Sequence, residues 1–153
     1  MMKSFRMSRA MGIGTKLLRF LLKMGVPMGS LQLLTHRGRK SGKIYTTPVA
    51  LVEQDGTRWL VGAFGEVNWV HNIRTAGVAQ LTTHWRKEIV EVHELAPTEA
   101  APILKQFLKS YGLVPFIPPY FRATSQSSLA DFEQEASHHP VFRIVKTMKN
   151  TSI

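Results

Sequence analysis

The sequence predicts a mainly β, α+β fold in which six antiparallel strands close into a small barrel with helices on its flanks. Three observations carry that expectation. Five short strand-like runs follow one another from residue 31, separated by glycine turns and interrupted by two helical stretches. A sixth run returns at residues 141–145. The regular strand–helix alternation of a doubly wound sheet is missing. At 153 residues and 44% hydrophobic content, the chain has the size and apolar mass for one domain with a buried core.

Residues 1–28 read as a basic amphipathic arm and residues 29–153 as a single cofactor-binding domain. Within the arm, residues 3–24 place six Lys or Arg among Phe5, Leu17, Leu18, Phe20 and Leu21, softened by Gly12 and Gly14 and ended by Gly25 and Pro27. Two readings stand side by side: a helix packed on the core or a partner subunit, and an interfacial helix on anionic lipid.

The first strand spans residues 31–35, and the second spans residues 44–53, where Pro48 signals an edge or a bulge. Gly38 and Gly42 supply the turn between them. Asp55-Gly56 turns the chain into a third strand over residues 58–63. Gly65 breaks it, Asn68 offers an N-cap for a helix over residues 69–76, and Gly77 ends that helix. Two strands follow at residues 78–85 and 88–95, joined near Arg86-Lys87. Pro97 opens a helix reaching Tyr111, with Ile103, Leu104, Phe107 and Leu108 on one face. Residues 112–128 hold Pro115, Pro118 and Pro119 among Phe116, Ile117, Tyr120 and Phe121, which predicts an apolar loop lining or covering a pocket.

Charge is distributed unevenly. The net charge is +10, and residues 1–43 carry ten Lys or Arg with no Asp or Glu. Such asymmetry calls for an anionic partner: a membrane surface, a nucleic acid or a phosphorylated ligand. With no cysteine, disulfides, thiolate catalysis and Cys-based zinc sites are excluded. Residues 17–24 are too short and too charged to span a bilayer, and they make a poor secretory signal. The expectation is a cytoplasmic protein, with residues 3–24 available for peripheral contact with the inner face of the cell membrane.

The richest feature is Thr35-His36-Arg37-Gly38-Arg39-Lys40-Ser41-Gly42-Lys43. A glycine turn presents backbone N–H groups beside four cations, which together suit a phosphate or carboxylate. A solvated hairpin tip accounts for the charges equally well. The Walker spacing is absent, and a nucleic-acid role lacks the usual aromatics between the basic residues.

The run from Leu33 to Gly42, followed by Thr46-Thr47-Pro48-Val49, resembles the signature of the deazaflavin-dependent nitroreductase family. Val61-Gly62-Ala63-Phe64-Gly65 and Asn68-Trp69-Val70-His71-Asn72-Ile73 are similar to that family's strand, glycine loop and helix, and residues 140–144 to its closing strand. The resemblance implies a split β-barrel akin to FMN-binding pyridoxine-phosphate-oxidase-like proteins, commonly paired as a homodimer. It also implies hydride transfer from reduced coenzyme F-420, a deazaflavin, to a lipophilic conjugated acceptor of quinone or nitroaromatic type. It assigns Arg39, Lys40, Ser41 and Gly42 to the cofactor phosphate. Thr46, Thr47, Pro48, Val49 and Ala50 would line the ring on one side. Gly62, Ala63, Phe64 and Gly65 would approach it by backbone, and Asn68, Trp69, Val70, His71 and Asn72 would close the other side, with Trp69 nearest. One departure is visible: residues 64–67 are short and include Glu66, where many members have a longer loop with a further Lys. FMN, or a non-enzymatic barrel binding a cofactor, fatty acid or heme, are the alternatives.

No nucleophile motif accompanies this pattern, as expected if the cofactor carries the chemistry. Ser41, Tyr45, His71 and Tyr120 are the candidate proton donors. No metal site is expected: His138-His139 beside Glu133 and Glu135 read as a solvated turn before Pro140, and His84 and His93 as cross-strand or exposed residues.

Overall fold

The computed structural model describes residues 31–83, 86–111, 120–147 and 152–153. The basic arm, His84, Trp85 and residues 112–119 of the apolar loop lie outside the described residues. The elements are β1 (Leu31–Arg37), β2 (Ile44–Gln54), β3 (Thr57–Val61), α1 (Asn68–Ala76), β4 (Val78–Thr83), β5 (Arg86–Glu94), α2 (Pro97–Tyr111), α3 (Leu129–Glu135) and β6 (Val141–Lys146).

The strands form the predicted closed antiparallel barrel in the order β1-β2-β3-β6-β5-β4, with β4 returning to β1. Alternation along the strands fills its interior with Leu34, Val49, Leu51, Leu60, Leu81, Val90, Phe142 and Ile144, and α1 adds Trp69, Val70 and Ile73 to the same core. A second core lies outside the barrel. There α2 and α3 bury Phe107, Leu104 and Phe132 against Val52, Val61 and Val141. Burying each such ring contributes roughly 2–3 kcal/mol.

Several local expectations change. Asn68 is the first helical residue of α1; Val67 is the N-cap and makes no side-chain cap. Gly77 does end the helix, at φ 73°, and its N–H donates to the carbonyl of Ile73. The β4–β5 reversal lies between Thr83 and Arg86, so Arg86 and Lys87 belong to β5 and not to a turn. Helix α3 follows the expected loop, in a stretch for which no element was predicted, and a Ser128–Asp131 capping box starts it.

Pro48 occupies the edge that its missing N–H demands. β2 pairs with β1 from Ile44 to Ala50 but with β3 only from Leu51 onward. On the side away from β1, residues 44–50 face no described strand, because β3 ends at Val61 and the chain turns off at Gly62. Among the described residues, the first half of β2 therefore has no strand on the side away from β1.

Candidate functional site

The β1–β2 turn is built on reciprocal backbone bonds: the Gly38 N–H donates to the Lys43 carbonyl at 2.7 Å, and the Gly42 N–H donates to the Gly38 carbonyl at 2.9 Å. Gly42 takes φ 71°, the left-handed conformation that favours glycine. Gly38 is required for closeness, since a Cβ there would stand 2.8 Å from Ser41 Oγ and from the Tyr45 ring.

This wiring decides which groups an anion can meet. The Gly42 N–H, expected to help hold a phosphate, is already used within the turn. Arg37 is also engaged: its Nη1 donates to the Gly42 carbonyl at 2.9 Å and its Nη2 to the Ile153 carbonyl at 2.8 Å. Among the described residues, the Lys40 and Ser41 N–H groups have no acceptor and Lys40 and Lys43 make no ion pair, and all three side chains are exposed. Two consecutive backbone donors are thus left free, in the same turn that carries the Arg39 and Lys40 side chains. The Ser41 hydroxyl accepts from the Lys43 N–H at 3.2 Å and lies 3.4 Å from the Tyr45 hydroxyl.

Asn72 ties the turn to α1. Its Oδ1 accepts from the Arg39 backbone N–H at 3.1 Å and from Arg39 Nη1 at 2.9 Å. Its Nδ2 donates to His36 Nδ1 at 3.1 Å, and His36 Nε2 lies 3.2 Å from Thr47 Oγ1. His36 and Asn72 are buried, and burial pushes the His36 pKa down to about 4, so the ring is neutral at pH 7. The structure thus joins the two sequence blocks through Asn72. It adds His36, whose polar role the motif did not reveal; its place two residues beyond inward-facing Leu34 was the available signal.

Strand alternation divides the expected ring-lining set. Val49 is part of the barrel interior, and Thr47 shares its face. Thr46, Pro48 and Ala50 share the outer face; Thr46 Oγ1 lies 3.2 Å from Thr35 Oγ1, and Ala50, like Ala63 and Tyr120, packs against the outer core. In α1, Trp69 and Val70 are core residues, with the Trp69 ring 6.5 Å from Phe142, so neither is open to a ring on the surface. Asn68 is exposed and His71 half-buried, three positions apart on the outer side of the helix.

At the edge of β2 away from β1, the glycine loop contributes less of its backbone than expected. The Gly62 N–H donates to the Pro140 carbonyl at 2.8 Å, and the Gly62 carbonyl accepts from the Gly65 N–H at 3.0 Å. Ala63, Phe64 and Gly65 are left half-buried along the loop, with Phe64 meeting the Tyr120 ring edge-on at 5.0 Å. Glu66, the acid in the shortened loop, is matched by Arg74 at 3.0 Å, which also pairs with Glu94 at 2.7 Å. One guanidinium thus serves two carboxylates, and the trio keeps a net negative charge.

His139 corrects the solvated-turn expectation. It is 2% exposed, stacks on Phe121 at 3.8 Å, and holds Nδ1 2.9 Å from the Gly62 carbonyl and Nε2 2.8 Å from the Tyr120 carbonyl. Burial lowers its pKa, opposed by those carbonyls and by Glu135 at 3.4 Å. Glu135 is itself buried, accepting from the Arg122 and Ala123 N–H groups at 2.6 and 2.8 Å. This knot fixes residues 120–123 of the apolar loop against α3 and Gly62. His93 is exposed beside Glu91. Among the described residues no group of His, Asp and Glu is arranged to hold a metal, and no helix is long and apolar enough to cross a membrane.

Residues 9–111 match the family model described as F420H(2)-dependent quinone reductase. Among solved structures, the chain is similar to one described as a domain-swapped dimer, with TM-score 0.55, 21% identity, and coverage of 90% of this chain and 100% of that one. It is also similar to an F420-H2 dependent reductase, with TM-score 0.51, 22% identity, and coverage of 76% and 94%. A third is a putative pyridoxamine 5'-phosphate oxidase from Listeria innocua, with TM-score 0.52, 11% identity, and coverage of 86% and 90%. At these identities the likenesses establish the split-barrel fold. No curated protein matches the chain.

Proposed function

The chain belongs to the F420H(2)-dependent quinone reductase family, oxidoreductases whose cofactor is coenzyme F-420, and from that premise we propose that its basic hairpin holds the cofactor phosphate beside the edge of β2 that lies away from β1. The observation that carries this reading is the pair of consecutive free N–H groups of Lys40 and Ser41 in the turn that also carries the Arg39 and Lys40 side chains. The donor set fits a phosphodiester: a planar guanidinium, an ammonium, a hydroxyl and two backbone donors in one turn.

When bound, reduced F-420 supplies the hydride. The protein's contribution is binding, orientation and exclusion of water. Thr46, Pro48 and Ala50 offer a small-residue surface on which a flat ring can lie. The edge of β2 that no described strand pairs offers backbone donors and acceptors to the ring's polar margin. Ala63, Phe64 and Gly65 border it, and Tyr120 closes over Phe64. Asn68 and His71 line the opposite side. Ser41, Tyr45, His71 and Tyr120 are the proton-bearing groups at this surface, and Ser41 and Tyr45 are the two that meet.

The acceptor is a lipophilic conjugated molecule, with a quinone preferred over a nitroaromatic. Phe64, Tyr120 and the apolar residues 114–121 suit its rings, and the basic residues of 3–24 suit an anionic membrane surface in which quinones dissolve. The protein would act as a homodimer, as the similar structure described as a domain-swapped dimer does. Steady-state oxidation of reduced F-420 tests the reading. Turnover with menadione exceeding that with a nitroaromatic supports it, and no turnover with either refutes it.

A further inference from the structure

We infer that His36 is a positioning residue: acting through Asn72, it sets the direction of the Arg39 side chain, one step removed from any ligand. This rests on reading the hairpin as the cofactor's phosphate site.

The polarity of the network has one solution. The Arg39 backbone N–H and Nη1 are obligate donors, and both meet the same oxygen of Asn72. The Asn72 amide orientation is therefore determined, and its NH2 faces His36 Nδ1. His36 Nδ1 must accept, so the neutral ring carries its proton on Nε2 and donates to Thr47 Oγ1. Each member leaves the next a single role.

A buried polar set of this kind is costly unless every member is satisfied. His36 occupies an inward-facing position of β1, two residues beyond Leu34, where an apolar residue would be the inexpensive choice. The polar ring instead keeps the amide of Asn72 from turning over. Adding a proton to Nδ1 would set an N–H against the Asn72 NH2; the amide would rotate, and Oδ1 would leave both Arg39 donors. The ionisable groups that His36 meets are Tyr45 on β2, stacked at 6.0 Å, and Arg39 by way of Asn72; α1 presents the neutral amide. Arg39 is exposed, and a long side chain at a hairpin tip loses considerable rotamer freedom on binding. Fixing it in advance lowers that cost.

The experiment compares wild type, His36→Phe and His36→Asn, the last because its Oδ1 can accept where His36 Nδ1 accepts. In the ligand-free protein, 15N relaxation of Arg39 Nε reports its order without reference to any cofactor. Order in wild type and His36→Asn, with mobility in His36→Phe, is expected; equal mobility in all three overturns the inference. Dissociation constants are then measured for F-420 and for its deazariboflavin chromophore lacking the phosphodiester. His36→Phe should weaken F-420 by about tenfold and the phosphate-free chromophore by less than about twofold, with His36→Asn recovering most of the loss. Equal weakening of both ligands, or no recovery, means a merely structural residue and overturns the inference. If wild type binds neither ligand, the cofactor reading fails, and the Arg39 relaxation decides the role of His36 alone. Should His36→Phe fail to fold, His36→Gln replaces it, since it can restore the donor to Thr47 but not the acceptor for Asn72.

Discussion

Replacing Asn72 by alanine removes an acceptor for two Arg39 donors and a donor to His36. The groups left behind are not equivalent. His36 is sealed from water at 2% exposure, so its orphaned Nδ1 bears a desolvation penalty of about 1–3 kcal/mol. The Arg39 donors lie close to solvent and recover most of their loss from water. Together with the small void, Asn72→Ala should cost about 2–3 kcal/mol. A chain of this size loses about 2–4 °C per kcal/mol, so the melting temperature should fall by roughly 4–12 °C. Urea unfolding followed by circular dichroism measures the first quantity, and a thermal scan the second. Asn72→Asp separates the two halves of the role: its carboxylate retains the Arg39 contacts and should raise the His36 pKa by favouring the imidazolium. A cost below about 0.5 kcal/mol for Asn72→Ala, or an unmoved His36 pKa in Asn72→Asp, refutes the reasoning.

Other predictions concern the same frame. His36 is held at about 4 against an ordinary 6.5, so its contribution is complete above pH 6.5 and is lost as the pH falls toward 4. That difference corresponds to about 3 kcal/mol, and urea midpoints between pH 7 and 4.5 should fall more steeply for wild type than for His36→Phe. Phe132, fully buried between α3 and α2, should cost roughly 3–5 kcal/mol as Phe132→Ala; a loss under 1 kcal/mol would mean that α3 is not part of the cooperative core. Gly65 has φ 90°, so Gly65→Ala should lower stability by about 1–3 kcal/mol in the same unfolding assay, and an unchanged midpoint would show that the loop relaxes freely.

Much of the barrel was legible because turns announce themselves locally. Asp55-Gly56, Gly77 and Pro97 mark boundaries that the structure keeps within a residue or two, and Pro48, read as an edge or a bulge, falls where no described strand flanks β2 on the side away from β1. Helix α3 was missed, although Ser128-Leu129-Ala130-Asp131 is a readable capping box; its 7 residues are too short to show an apolar period. His139 was misread for a different reason. Its partners Tyr120 and Gly62 lie 19 and 77 residues away, and no local pattern distinguishes a histidine stacked on a distant phenylalanine from one in a wet turn. At the site, the resemblance located the hairpin and α1, but the division of labour needed coordinates. Alternation turned Val49 inward and left Thr46, Pro48 and Ala50 outside, while the Gly42 and Gly62 N–H groups are already bonded within the protein. Asn72 and Arg39, 33 residues apart, met only on folding.

Fluorescence titration of purified protein with F-420, wild type beside the Arg39→Ala/Lys40→Ala double variant, tests the hairpin assignment most directly. Saturable binding at micromolar concentrations or tighter is predicted for wild type. The double variant should bind about 100-fold more weakly, from two lost charge-assisted contacts, while melting like wild type. Wild type without measurable binding, or a double variant with undiminished affinity, would contradict the account.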